Sequence, residues 1–168
     1  MDLITVATGF HWLDIPTFVD EVQRVLKPNR GILAIWTYGA GSIDNPKMDA
    51  VYHEFDQITL SEYWHKNKWL VDDFYRSLVP LFPYQSTLKE YTIEQRSETT
   101  IKQFLNGIET FSACQTFKNQ EGEQAYENLL GNLRKKLINC FPSATEEQAD
   151  DLRFVLSNPI RLYLMKKQ

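Results

Sequence analysis

The chain has 168 residues, 43% hydrophobic and 13% aromatic, with a formal net charge of -4. That much apolar material builds one buried core and excludes a disordered, low-complexity or repeat protein. Basic residues scattered among carboxylates exclude a general nucleic-acid binder, which needs clustered cations, and no apolar run reaches the ~20 residues a membrane helix requires.

Asp2 and the lack of a cationic start are unlike a signal peptide, so a soluble, cytoplasmic chain is expected. The first elements are the best specified. Leu3 to Ala7 and Ile32 to Trp36 are nearly continuous apolar runs, as parallel strands covered on both faces require. Between them Phe18, Val22, Val25 and Leu26 fall at helical spacing in a helix predicted over 16–26. Asp14 occupies the N-cap position, where its carboxylate would meet the helix dipole. The turn Lys27-Pro28-Asn29-Arg30-Gly31 then leads into the second strand, so residues 1–41 read as one βαβ unit.

Residues 42–86 read as a helical segment. Asn45-Pro46 opens a helix through Met48, Val51, Tyr52, Phe55, Ile58 and Thr59, followed by the aromatic group Tyr63, Trp64 and Trp69. A second helix is predicted over 71–78, before Pro80 and Pro83 break the chain. Residues 87–168 carry the last strands and a helical insertion. A strand is predicted over 88–95, and Thr99 or Thr100 caps a helix bearing Ile101, Phe104, Leu105, Ile108 and Phe111. A further helix over 124–138 precedes a terminal strand, Leu152 to Leu156 and Ile160 to Met165, interrupted at Asn158-Pro159 by a bulge or a turn.

Several chemistries find no support. His53 and His65 lack ligand spacing, and Cys114 and Cys140 form no C-x-x-C, so no metal is expected and both cysteines read as reduced structural thiols. Ser42, Ser61 and Ser112 lie in no G-x-S-x-G turn. None of the seven glycines forms a G-x-G-x-x-G loop; Gly39-Ala40-Gly41 comes nearest but has no third glycine. Function must then come from the strand ends, because open α/β sheets bind ligands outside their carboxyl ends. The two best-defined ends are Thr8 to Trp12 and Trp36 to Gly39, which should bring His11, Trp12 and Tyr38 near one another. In the plainer alternative, His11 hydrogen-bonds its own turn and Trp12 packs in the core.

The phrases Asp2 to Ala7, His11-Trp12, Val25-Leu26-Lys27-Pro28 and Leu33 to Gly39 occur in the order and spacing of a known family. They resemble the second half of a class I S-adenosylmethionine-dependent methyltransferase, specifically the small-molecule enzymes related to trans-aconitate methyltransferase. Asn29-Arg30 replaces the first glycine of that family's usual turn. The resemblance implies an α/β fold: a partial Rossmann-like sheet, strands four to seven of the family, with a helical substrate-side cap. It also implies that the glycine-rich half which holds the cofactor lies outside these residues.

By that resemblance the cofactor is S-adenosyl-L-methionine, contacted by Ala7, Thr8, Phe10, His11 and Trp12, and the substrate is a small-molecule carboxylate or hydroxyl. His11 and Tyr38 are the candidate catalytic residues, and Trp12, Tyr38, Trp64 and Phe111 the substrate contacts. Facing a carboxylate, His11 would orient or bind an anion; facing a hydroxyl, it could accept the proton. Arg76 and Arg96 read as solvated or salt-bridged rather than as carboxylate binders. The competing reading is a non-catalytic remnant or protein-interaction module. In either case the apolar first strand presents an unpaired edge and is a candidate homodimer surface.

Overall fold

A computed structural model describes residues 1–142 and 145–168 of the chain. They form two compact units, the first comprising residues 1–40, 67–95 and 158–168 and the second residues 41–66 and 96–157.

In the first unit, β1 (Leu3–Ala7) lies parallel to β2 (Ile32–Tyr38), in register from Leu3 opposite Ile32 to Ala7 opposite Trp36. The C-terminal part of β5 (Arg153–Lys166) pairs antiparallel with β2, from Ile32 opposite Lys166 to Tyr38 opposite Ile160. The crossover helix α1 (Ile15–Val25) buries Val22 and packs Phe18 on the core. That core gathers Phe10, Leu26, Leu33, Ile35, Phe82, Tyr163 and Met165. Each such side chain contributes about 1.5–3 kcal/mol by leaving water.

The expectation that both apolar strands are covered on both faces holds for β2 and fails for β1. Leu33, Ala34, Ile35 and Thr37 are buried, but Leu3, Thr5 and Ala7 are exposed, and among the described residues β1 pairs with β2 alone. Asp14 does stand at the N-cap of α1, yet its carboxylate accepts from the Thr17 hydroxyl and not from a backbone amide. The turn into β2 uses Asn29 at φ 62°, a left-handed conformation that asparagine tolerates better than most residues in place of glycine.

In the second unit, β3 (Ser42–Ile43) pairs with the N-terminal part of β5, Ser42 opposite Ser157 and Ile43 opposite Leu156. Helix α2 (Pro46–Glu54) begins on Asn45, whose side chain accepts from the amides of Lys47 and Met48, and it continues into a wider turn over Phe55–Thr59. Helix α4 (Ile101–Glu109) starts on a reciprocal capping box between Thr100 and Gln103. Helices α5 (Ser112–Glu121) and α6 (Glu123–Ile138) complete the unit around Met48, Tyr52, Phe104, Ile108, Leu133, Leu137 and Phe154.

The structure departs from the sequence expectations at four points. The helix predicted over 71–78 is instead the short α3 (Lys68–Asp72) followed by tight turns. Helix α5 was not foreseen as a separate element. The terminal strand is not interrupted: β5 runs through Asn158-Pro159, which fall between the β2 and β3 pairings, and the Pro159 carbonyl accepts from the Gly39 amide at 3.2 Å. The strand predicted over 88–95 is longer, with β4 at Lys89–Thr100 alongside β5.

Candidate functional site

The parallel strands β1 and β2 end side by side, and the Thr8 amide extends their ladder by donating to the Trp36 carbonyl at 2.8 Å. Thr8 then turns the chain at φ 45°, and residues Phe10–Trp12 form a single tight helical turn. Phe10 anchors it: the side chain is fully buried, with ring centroids 5.1 Å from Phe82 and 5.8 Å from Phe18. Of the stretch expected to face a cofactor, Phe10 can therefore offer only main-chain atoms. With Phe10 pointing inward, His11 is half-buried and Trp12 is 59% exposed, their rings 4.6 Å apart. The plainer sequence alternative for Trp12, burial in the core, is thus corrected.

His11 does not bond merely within its own turn. Its Nδ1 lies 2.7 Å from the hydroxyl of Tyr75, a side chain with no exposed surface. What delivers Tyr75 there is the end of α3, where Phe74 and Tyr75 take left-handed conformations in succession, φ 55° and 60°. The Tyr75 amide closes this reversal on the Leu70 carbonyl at 2.8 Å. Two consecutive aromatic residues in that region are costly, and such strain persists where the surrounding structure fixes it. Here the fixings are visible: the Phe74 carbonyl accepts from the Tyr163 hydroxyl at 2.6 Å, and Asn67 Nδ2 donates to the His11 carbonyl at 3.0 Å. The Phe74 ring also fills the space above Gly39, where a Cβ would come within 2.2 Å of the ring.

Burial raises the pKa of the Tyr75 phenol, opposed by the Thr37 hydroxyl and the amides of Phe10 and His11 that face it, while nearby Tyr38 raises it further. The phenol therefore keeps its proton through neutral pH. Tyr38 ends β2 with 54% of its surface exposed. The guanidinium groups of Arg76 and Arg161 lie 5.8 and 5.6 Å from the Phe74 ring centroid, and Arg161 is also paired with Glu90 at 2.5 Å.

The remaining candidates lie in the second unit. Trp64 and Phe111 stack at 5.5 Å on the edge of its core, and Trp64 Nε1 donates to the Asp56 carbonyl at 3.0 Å. A cavity of about 620 Å³ in this unit, lined by Asp44, Lys47, Cys140 and Arg153 among others, involves none of the candidate site residues. No group of side chains among the described residues could hold a metal ion. Nor is any described helix long and apolar enough to cross a membrane.

Sequence reasoning missed Tyr75, Thr37 and Asn67. Thr37 offered a signal, a lone hydroxyl at the ligand-facing end of an apolar strand. Tyr75 offered none, because its role depends on a backbone reversal that hydrophobic periodicity does not encode.

No family model matches the chain. A curated Dictyostelium discoideum protein described provisionally as a methyltransferase is 27% identical over 171 residues, covering 100% of this chain and 60% of the relative. A solved structure from Anaeromyxobacter dehalogenans, described provisionally as a type II methyltransferase, superposes on 99% of this chain and 64% of its own with a TM-score of 0.76 at 24% identity. The chain thus spans less than two thirds of the length of each. It has a methyltransferase fold, with the mixed α/β, Rossmann-like architecture expected.

Proposed function

We propose that this fold serves as the substrate side of an S-adenosylmethionine-dependent methyltransferase of the trans-aconitate methyltransferase-like kind, acting on a small-molecule carboxylate or hydroxyl. The observation that carries the reading lies at the carboxyl ends of β1 and β2, where the exposed Trp12 stacks near a histidine bonded to a buried tyrosine and the exposed Tyr38 ends β2. Ligands of open α/β sheets bind at that end. The relative and the fold support the reaction class; the phrases Asp2 to Ala7 and Leu33 to Gly39 support the narrower kinship.

The residues present fit one side of the cofactor. S-adenosylmethionine, when bound, supplies an activated methyl group on a sulfonium cation. The exposed Trp12 ring and the carbonyls of the Thr8 to Trp12 turn are groups that accommodate such a cation. Methyl transfer is displacement at carbon, so the chain's task is alignment and exclusion of water rather than covalent chemistry. His11 orients the acceptor, Tyr75 and Asn67 hold His11 in place, and Tyr38 closes the β2 side. The open edge of β1 favours a second reading, a protein-interaction module, which predicts no cofactor affinity.

Calorimetric titration of the chain with S-adenosylmethionine and with S-adenosylhomocysteine separates the two. One-site binding is expected, and Trp12→Ala should weaken the sulfonium ligand roughly fivefold to thirtyfold, the equivalent of about 1–2 kcal/mol of cation–π contact, while affecting the neutral thioether less. A folded sample that binds neither ligand overturns the reading for this chain.

A further inference from the structure

We propose that the sheet of the first unit carries a self-association surface on the face opposite its core, and that its occupant is a second copy of this chain. The two copies lie face to face about a two-fold axis running along β2. This does not rest on the methyltransferase reading.

Successive side chains of a strand point to opposite faces, so the register sorts the sheet into two sides. Val6, Ile35 and Tyr163 share a row on the core side, which α1 and the turns after α3 cover. The rows before and after it point the other way. They are Thr5, Ala34 and Leu164, then Ala7, Trp36 and Leu162. Among the described residues, neither core includes Trp36, Leu162 or Leu164. Strand β4 extends this side. Glu90 pairs with Arg161, which stands opposite the buried Thr37, so Glu90 lies on the core side and the exposed Tyr91 and Ile93 on the other.

Strands about 4.8 Å apart, with a rise of about 3.3 Å per residue along β2, make this side roughly 400 Å² across β1, β2, β5 and β4. That is the scale of the largest apolar patches on monomers, which are often functional. Two such faces together bury roughly 900 Å² or somewhat more, the range of a reversible dimer and not of a permanent one.

Charge and relief favour a second copy as the occupant. Lys166, at one corner beside Ile32, is the one formal charge in the outward rows of β1, β2 and β5, so an oppositely charged partner finds little to match. The β1 side is low, with Thr5 and Ala7, and the β5 side is high, with Leu162 and Leu164. A two-fold along β2 lays the high side of each copy on the low side of the other, as aligned sheets pack, about 10 Å apart. Edge pairing at β1 is a different contact, because β5 has β2 on one side and β4 on the other and takes no part in it.

Sedimentation equilibrium of the full chain over a concentration series should show reversible dimers. Leu164→Glu should weaken association by about tenfold or more, since each dimer loses two apolar contacts and gains two carboxylates in their place. Should Leu164→Glu fail to fold by circular dichroism, Ile93→Lys at an exposed position supplies the same test. In a mixture of isotope-labelled and unlabelled copies, filtered NOEs should join the Leu162 and Leu164 methyl groups to those of Thr5 and Ala7, which β2 separates within one copy. A monomer throughout the series, or a dimer that the folded variant leaves intact, overturns the proposal. So does a filtered spectrum that joins β1 only to β1, the mark of edge pairing.

Discussion

Tyr126 and Cys114 show how single buried groups govern this protein's response to pH. Burial pushes the Cys114 thiol up from 9.0 to about 12, and the phenols of Tyr126 and Tyr163 from 10.0 to about 12. Between the lower and upper values the folded chain retains protons that the unfolded chain has released, so stability falls as pH rises. The contribution is complete below pH 9.0, declines first through the thiol and then through the phenols, and is gone above about 12. Urea melts recorded from neutral to strongly alkaline pH should show this decline, and Cys114→Ala should make its early part shallower, leaving the share of the buried Cys140 thiol, which burial also raises; a flat profile would contradict it. Tyr126 also carries a hydroxyl with no hydrogen-bond partner among the described residues. Tyr126→Phe removes that orphaned group at constant shape, and a stability gain of up to about 1 kcal/mol is the expected result of the same melts.

At the scale of elements, local signals were legible wherever side chain and backbone met within a few residues. Asn45 announced the start of α2 and the Thr99–Thr100 pair that of α4, where Thr100 is the cap; Thr100→Ala should cost about 1 kcal/mol in a thermal melt by undoing the capping box. The βαβ unit was legible because its strand runs, helical face and turn agree. Helix α5 was not, since its N-cap position holds Phe111, with no polar cap to mark a new start after α4. The truncation of α3 was illegible for a different reason. Val71 and Leu78 sustain a helical pattern, but the space above Gly39 draws the Phe74 ring to it and forces the reversal. Gly39→Ala should therefore destabilise by about 1–3 kcal/mol through that clash, and Phe74→Leu in the same chain should recover part of the loss; equal melting of Gly39→Ala and the native chain would refute this account. The strand ends of the candidate site were readable from topology, whereas Tyr75, which completes it, was readable only from this long-range packing.

At the scale of the whole molecule, β1 has one side that no strand among the described residues pairs. Leu3 is 55% exposed on a strand whose second edge is unpaired among the described residues, and such an edge pairs with whatever strand is available. The chain should associate with rising concentration, through a second copy or a covering strand. Light scattering across a dilution series checks this, and Thr5→Lys on the strand should shift the chain toward monomer. A dispersed monomer with the β1 amides protected from hydrogen exchange would exclude it. Thr8, at the other end of the same strand, has a further consequence. A β-branched residue held at φ 45° works against the fold, by about 1–3 kcal/mol for conformations of this kind. Thr8→Gly should accordingly melt a few degrees higher, yet it frees the hinge from which the Phe10–Trp12 turn is aimed. Selection for thermal hardiness alone would push that position toward glycine, so a hardened variant should be tested for a looser grip on its ligand.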